Sequence, residues 1–235
     1  MNFAVTFIVA AVLLDANAAQ SGVLLQTLPD DGAWVTFLVT AGSDGNDVSV
    51  TWTLRSVGTA FYEGRKCRYL EVEQSCENGP QQIYFYQLRP FVLRALVPED
   101  AFGEGKDPLA HAVRMWAQEG DKSPVTIASA DGPDPILAAI VSGPVANLNA
   151  ESRPEKISWQ RGELNCSVLS GNRELKFVGI PLTLTTRVLR SEEVPFSIGG
   201  LRQDIKAVFN GKEFRSASVR ICAITARTRN QNCRN

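Results

Sequence analysis

Few side chains in this chain could do chemistry, and histidine is the scarcest of them. His111 is the single histidine among 235 residues, so any Ser-His-Asp or Cys-His site would have to use it. No serine lies within a GxSxG motif, the usual setting of an α/β-hydrolase nucleophile. In the helix predicted below, His111 faces the solvent beside Arg114 and Gln118. The sequence therefore indicates no catalytic residue and excludes a metal site built from several histidines.

The five cysteines offer a second kind of chemistry, either disulfide formation or metal binding. They form no CxxC pair, so the sequence predicts no zinc site and no other bound metal. Their odd number leaves at least one thiol free or bridged to another molecule. Cys166 and Cys222 lie within apolar strand patterns, and we predict that both are buried. They are the disulfide candidates if their Cα atoms lie within about 7 Å of each other.

Carboxylates could serve in glycoside hydrolysis, which needs two of them on either side of the bond that is cleaved. Glu71 and Glu73 share one face of a predicted strand, which makes them the candidate pair. Residues 43–47 resemble half of a calcium loop but lack its downstream glutamate, and their composition is typical of a hairpin turn. Walker and GxGxxG motifs are absent, so no nucleotide cofactor is predicted.

The composition is that of an ordinary globular protein. Lysine and arginine number 24 against 25 aspartate and glutamate, and 44% of the residues are hydrophobic. These values exclude a disordered chain and a polybasic nucleic-acid-binding arm, so nucleic acid is not an expected partner. Basic residues are concentrated in 201–235, which is typical of the solvated face of a strand. A basic surface for an anionic headgroup or polysaccharide is the less favoured interpretation.

The N-terminus has the pattern of an export signal. Residues 3–14 form an apolar run that is too short to span a bilayer. Ala16 and Ala18 follow at the small-residue positions of a cleavage site, although the usual lysine or arginine before the run is missing. We predict a signal peptide over residues 1–18 in a bacterial host. The mature protein would be periplasmic or secreted and would not be an integral membrane protein.

Strand patterns dominate the rest of the chain. Val48, Val50, Trp52 and Leu54 alternate with polar residues, which is the clearest period of two in the sequence. Residues typical of turns, such as Asn210-Gly211, separate the apolar runs. Roughly ten strands joined mostly by short turns predict a mainly β fold of the α+β kind. We expect one large curved antiparallel sheet that forms an open half-barrel.

One segment has the period of a helix. Leu109, Ala112, Val113 and Trp116 follow one another at helical spacing after an Asp-Pro pair that is typical of a helix start. The pattern predicts an amphipathic helix near 107–119 on the concave face of the sheet. A proline-rich connection over 121–155 follows it. Together these elements form a single β-rich domain over 19–227, ending in a mobile tail at 228–235.

The aromatic and aliphatic residues suggest an apolar site inside the curved sheet. Most such residues belong to a core, because aromatic side chains dominate core burial. Some of them could instead line a cavity that the predicted helix covers as a lid. The candidate ligand-binding residues are Trp52, Leu54 and Phe85 on strands and Leu109, Val113 and Trp116 on the helix.

Five segments of the sequence carry a resemblance to a family of exported proteins. They are WVTF at 34–37, VTWTLRSV at 50–57, YLEV at 69–72, FVLRALVP at 91–98 and VPFSIGGL at 194–201. In this pattern the chain resembles periplasmic lipoprotein carriers and outer-membrane lipoprotein-sorting proteins. The resemblance implies an unclosed antiparallel half-barrel that binds an acyl chain on its concave side. The proline-rich connection and the five cysteines depart from that family, and no functional residues are carried over.

Three functions are compatible with these patterns. The leading hypothesis is an exported non-enzymatic protein that binds an apolar ligand or a lipidated partner in the cell envelope. The second is a structural or adhesive β-sandwich that binds another macromolecule through its outer face. A carbohydrate-active hydrolase is the least favoured. A cavity lined by Trp52, Leu54 and Phe85 would favour the first, and two carboxylates across a cleft would favour the third.

The export signal gives the first testable prediction. We expect the mature chain to begin at Ala19 or Gln20, because Ala16 and Ala18 occupy the positions that signal peptidase recognises. N-terminal sequencing of the protein from its native host is the measurement. A chain that still begins at Met1 or Asn2 would contradict the prediction of export.

Overall fold

The computed structural model describes residues 27–43, 46–76, 81–83, 86–103, 108–127, 148–160, 162–177, 180–209 and 212–227. The predicted signal peptide at 1–18, Phe85 and the predicted tail at 228–235 lie outside these residues and stay predictions.

The described residues form fourteen strands and three short 3-10 turns. The turns are Glu99–Ala101, Leu109–His111 and Pro195–Ser197. The strands are β1 (Trp34–Ser43), β2 (Asn46–Tyr62), β3 (Arg65–Ser75), β4 (Gln81–Ile83), β5 (Tyr86–Leu88), β6 (Phe91–Pro98), β7 (Arg114–Glu119), β8 (Val125–Ile127), β9 (Asn149–Ala150), β10 (Glu155–Trp159), β11 (Gly162–Phe177), β12 (Ile180–Arg190), β13 (Ile198–Phe209) and β14 (Lys212–Arg227).

Twelve of these strands form one antiparallel sheet in the order β10-β11-β12-β13-β14-β1-β2-β3-β6-β7-β8, with β9 beside β11. The sheet does not close, so β8 and β10 are its edges. Strands β4 and β5 form a separate hairpin. The prediction of a mainly β fold with one large open antiparallel sheet is therefore confirmed. In the centre β1 pairs with both β2 and β14, which joins the two halves of the chain.

The predicted helix near 107–119 is wrong. Leu109–His111 form a single 3-10 turn, and the backbone is already extended at Ala112 (φ −61°, ψ 127°). Arg114–Glu119 form β7, which pairs with β6 on one side and β8 on the other. Pairing with β6 satisfies the backbone of a short segment whose helical spacing was fortuitous, so tertiary context outweighs local pattern. Strands β8 and β9 likewise lie within the predicted connection at 121–155.

The inner face of the sheet, the face that carries Val35, Phe37 and Val39, is apolar and buried. These three residues of β1 are at most 5% exposed, whereas Leu38 between them is 40% exposed. The cross-strand register places further apolar side chains beside them, and all belong to one continuous cluster. Burying a large aliphatic side chain contributes roughly 1.5–3 kcal/mol. Other members of the inner face are Val50, Trp52, Leu54, Leu70, Val72, Leu93, Ala95, Met115, Leu201, Ile221 and Ala223.

Strand β11 changes its partner along its length. Residues 162–166 pair with β10, whereas 167–177 pair with β12. The β10–β11 hairpin thereby packs across β13 and β14, while the rest of β11 continues the sheet beside β12. At its turn, Gln160 Nε2 donates a hydrogen bond to the backbone carbonyl of Ala226 at 3.1 Å. The close approach requires Gly199, where an added Cβ would lie 2.7 Å from Cys166 Sγ.

At the neighbouring Gly200, a backbone atom and not a side chain leaves no room for a Cβ. A Cβ added to Gly200 would lie 2.6 Å from the carbonyl oxygen of Ile221. That oxygen belongs to the β13–β14 pairing and cannot move without displacing a strand, whereas the Cys166 side chain can be shortened by mutation.

This difference gives a prediction with an internal control. Gly199→Ala and Gly200→Ala should each lower the free energy of unfolding by roughly 1–3 kcal/mol through overpacking. Cys166→Ala should offset most of the Gly199→Ala loss and none of the Gly200→Ala loss, each measured against Cys166→Ala alone. Urea unfolding followed by tryptophan fluorescence measures all five variants. Equal behaviour of the two glycine variants in the Cys166→Ala background would show that the hairpin does not pack there.

A buried arginine ties one end of the sheet together. Arg68, on β3, is 7% exposed. Its Nη1 donates to the carbonyl of Pro29 at 3.1 Å and to Ser56 Oγ at 2.9 Å, and its Nη2 donates to Glu99 Oε1 at 2.9 Å. Desolvation opposes ionisation of Glu99, but hydrogen bonds from Lys66 and Arg68 prevail and hold the pKa of its carboxyl below the usual value.

We predict that Arg68→Met lowers the free energy of unfolding at pH 7 by roughly 3–5 kcal/mol, because it leaves buried acceptors without their donor. The matched control is Arg65→Met, which removes an exposed ion pair with Asp100 and should cost about 1 kcal/mol or less.

The same cluster makes stability depend on pH. The pKa of Glu99 is lower in the folded chain than in the unfolded chain, so its contribution is present above the unfolded pKa and is lost as pH falls through the folded pKa. Between about pH 5 and pH 3, wild type should lose more thermal stability than Glu99→Gln. Parallel melting curves for the two proteins over this range would contradict the ion pair.

Candidate functional site

The outer face of the sheet, opposite the inner face, carries a row of aromatic and charged side chains. Cross-strand register places Trp34 opposite Arg55, Arg55 opposite Glu71, Glu71 opposite Arg94, and Arg94 opposite Trp116. We call these five residues the outer row. Directly opposed side chains have Cβ atoms about 4.5–5.5 Å apart, so the row is continuous across β1, β2, β3, β6 and β7.

The centre of the outer row is a network of ion pairs. Glu71 accepts hydrogen bonds from Arg55 Nη1 at 3.1 Å and from Arg94 Nε at 3.1 Å, with a further bond from Arg94 Nη2. Arg55 Nη1 also donates to Glu73 Oε2 at 2.6 Å. The Glu71 side chain is 13% exposed and that of Arg94 is 52% exposed. Glu71 therefore holds the Arg94 guanidinium in a fixed orientation while leaving it open to solvent.

Two aromatic rings stand beside this network. Tyr69 and Trp116 have ring centroids 6.3 Å apart and are tilted by 41°. They border a depression of about 390 Å³, which we call the aromatic groove. It is lined by Tyr69, Val92, Arg94, Trp116, Ala117, Gln118 and Pro124.

The groove depends on the alternation of β7. Met115 points to the inner face and is 3% exposed, so Trp116 must point to the outer face. A cation–aromatic contact extends the surface, because the Arg114 guanidinium lies 5.2 Å from the centre of the Tyr62 ring. The outer face thus combines flat apolar rings with oriented hydrogen-bonding groups.

The residues predicted to line an apolar site do not all lie together. Trp52 and Leu54 are on the inner face, at 4% and 5% exposure, and Trp52 Nε1 donates to Gln74 Oε1 at 2.7 Å. Leu109 is buried in its turn, and Val113 is half-buried. Trp116 lies on the opposite side of the sheet from Trp52, because it belongs to a strand and not to a helix over the inner face.

Sequence reasoning missed Arg94, Gln118 and Pro124 as members of a site. It placed Glu71 and Glu73 on one face of a strand, and the register confirms that shared face, which also carries Tyr69. The missing signal is long-range, since β3 pairs with β6 across the segment that contains β4 and β5. Only that pairing brings Arg94 beside Glu71.

The two carboxylates of the hydrolase hypothesis lie side by side on one strand. Both accept hydrogen bonds from Arg55, and the second oxygen of Glu71 accepts from Arg94. A glycosidase needs its two carboxylates on either side of the bond that is cleaved, whereas these two are neighbours on one face and share Arg55 as a partner. Among the described residues, no group of three or more His, Cys, Asp or Glu side chains is arranged to hold a metal ion.

The two disulfide candidates, Cys166 and Cys222, differ in exposure. Cys166 is buried, as predicted, but the prediction that Cys222 is buried is wrong. Ile221 and Ala223 take the inward positions of β14, so Cys222 between them points outward. Both are free thiols in the structure, as are Cys67 and Cys76. Burial raises the pKa of the Cys166 thiol to about 11, and desolvation also raises the pKa of Cys222, so both thiols are mostly protonated at neutral pH.

Within the described residues no helix has the length and apolar character needed to cross a membrane.

No protein-family model matches the chain, and no curated protein matches it. A solved structure from Bacteroides fragilis, described as an exported protein with a YmcC-like fold, aligns with 88% of this chain and 100% of its own. The sequence identity is 8% and the TM-score is 0.39. A likeness this distant bears on neither ligand nor compartment, so function is inferred from the site.

The cysteines give a prediction about reactivity. Under native, unreduced conditions, iodoacetamide should modify Cys222 first, because Cys222 is exposed whereas Cys166 is buried. Mass spectrometry of peptides after timed alkylation is the measurement, and unfolding in urea should expose every thiol. Protection of both cysteines until a reductant is added would indicate a disulfide and contradict the free thiols.

Proposed function

We propose that this chain is an exported, non-catalytic binding protein whose ligand lies in the aromatic groove. The observation that carries the proposal is the arrangement of Trp116 and Tyr69 beside Arg94, whose guanidinium is oriented by Glu71. Ligand sites are typically concave, with apolar and aromatic walls and a few well-placed polar groups. The export part of the proposal is supported by the apolar run at 3–14 and by Ala16 and Ala18.

The groove is organised before a ligand arrives. Aromatic side chains have two rotatable angles, so they provide contact area at a low cost in conformational entropy. Arg94 would otherwise lose considerable side-chain entropy on binding, but its bonds to Glu71 already restrict it. A ligand with a flat apolar surface and hydrogen-bonding edges gains most from such a site.

An apolar ligand or a lipidated partner would use the inner face instead, as in lipoprotein carriers. That alternative would place the ligand on Trp52 and Leu54, which are packed within the continuous core. A ligand there would have to displace side chains that already contact one another. The outer groove needs no such displacement, which favours a protein that uses its outer face.

The test compares wild type with Trp116→Ala and with Phe61→Ala. Phe61 is the matched control because it is an aromatic residue, 79% exposed, that does not line the groove. Each protein is immobilised and exposed to the water-soluble and the organic-soluble extract of the native host's envelope, and retained molecules are identified by mass spectrometry. We expect wild type and Phe61→Ala to retain the same molecule in similar amounts. Trp116→Ala should retain at least about tenfold less of it.

Two results would contradict the proposal. One is equal retention by all three proteins. The other is retention of an organic-soluble molecule that is lost on Trp52→Phe and kept on Trp116→Ala, which would return the site to the inner face.

A further inference from the structure

We infer that the ligand class of the aromatic groove is a neutral oligosaccharide that lies across the strands, along the outer row from Trp116 toward Trp34. This inference rests on the proposed function and adds the chemistry, the direction and the length of the ligand.

The chemistry follows from the side chains beside Trp116. A sugar ring has C–H groups on its faces and hydroxyl groups around its edge, so it can stack on an aromatic face while its edge makes hydrogen bonds. Trp116 and Tyr69 supply two such faces. Arg94 Nε and Nη2 are bound to Glu71, and the half-exposed guanidinium lines the groove together with Trp116, so its Nη1 is the nitrogen outside that pair that a sugar hydroxyl would use. Gln118 Nε2 donates to the Gly120 carbonyl at 3.3 Å, which is long for a hydrogen bond.

The charge of the site favours a neutral ligand. Arg55 and Arg94 balance Glu71 and Glu73, and the four form one connected network. Beyond the end of the groove, Glu119 pairs with both Arg89 and Lys122. Recognition of nucleic acid or another polyanion relies on cations that contact phosphates or other anions, whereas both arginines of the outer row are already paired with carboxylates.

The backbone argues against a peptide ligand in the same place. An extended peptide gains most of its affinity by adding a strand to an exposed sheet edge. The outer row crosses β1, β2, β3, β6 and β7, each of which pairs on both sides with another strand. Their backbone groups are therefore engaged, and only side chains are offered to a ligand.

The geometry sets the length of the ligand. Five neighbouring strands span four strand spacings, or about 19 Å between Trp116 and Trp34. One unit of an extended sugar chain is about as long as one strand spacing, so roughly four units fill the row. Trp116 would stack one end, Arg55 and Arg94 would bind the middle, and the half-buried Trp34 would stack the other end.

The experiment uses a panel of immobilised neutral oligosaccharides of one to six units, uronic-acid and sulfated oligosaccharides, and a proline-rich peptide, followed by calorimetry on the neutral series that binds. We expect affinity in that series to rise with length and to level off near four units. Trp116→Ala should weaken every length about tenfold or more, whereas Trp116→Phe should keep most of the affinity. Trp34→Ala should weaken only chains of four or more units, and Phe61→Ala should change none.

The inference is overturned if no neutral oligosaccharide on the panel binds, if only the anionic sugars or the peptide bind, or if affinity does not depend on length. Its failure is distinct from failure of the proposed function. If wild type retains a non-carbohydrate molecule from the envelope extract and Trp116→Ala does not, the groove is a binding site but its ligand is not a sugar. Retention that is independent of Trp116 would reject both. Circular dichroism of each variant confirms that the fold is intact.

Discussion

The buried inner face fixes the register of the sheet, because a shift by one residue along any strand would turn its apolar side chains to the solvent. Val35, Leu54, Val72 and Leu93 meet across four neighbouring strands in that register. The residues that alternate with them along each strand must then point to the outer face, and the same register aligns them with one another. Arg55, Glu71 and Arg94 align on the outer face because the core residues beside them align on the inner face.

This coupling explains how an open sheet can carry an ordered surface site. Exposed ion pairs are individually weak, about 1 kcal/mol or less, and could not hold a groove in shape. Here the backbone positions are fixed by the core, and the network of Glu71 only has to choose among side-chain rotamers. Trp116 is held in the same way, since Met115 before it is buried on the inner face and Ala117 after it packs against the core. Stability and site geometry therefore have the same origin.

The positions of individual strands can be predicted from the sequence more reliably than the pairing between strands. The alternation through Trp52 and Leu54 identifies β2. The Asn210-Gly211 pair, which lies outside the described residues, falls in the sequence between the end of β13 and the start of β14. The helical spacing of Leu109, Val113 and Trp116 misleads, because one short segment fits both periods and only its pairing with β6 decides between them. The pairing of β1 with β14 and the packing of the β10–β11 hairpin over Gly199 are equally non-local.

The candidate site, too, is predictable from the sequence only where it depends on one strand. The shared face of Tyr69, Glu71 and Glu73 can be inferred from a period of two within one strand. That Arg94 and Trp116 complete the site depends on how β3, β6 and β7 are paired, which the sequence does not state. A candidate site built from local periodicity therefore joined Trp116 to Trp52, although the sheet separates the two.

The most direct test of the outer-face site uses the four tryptophans of the chain as separate reporters. In the proton–nitrogen NMR spectrum, each indole N–H gives its own signal, assigned by single substitution. During titration with the neutral tetrasaccharide that binds best, the signals of Trp116 and Trp34 should shift, while that of Trp52 in the core stays in place. A shift of Trp52 with Trp116 and Trp34 unchanged would contradict the outer site and place the ligand within the inner face.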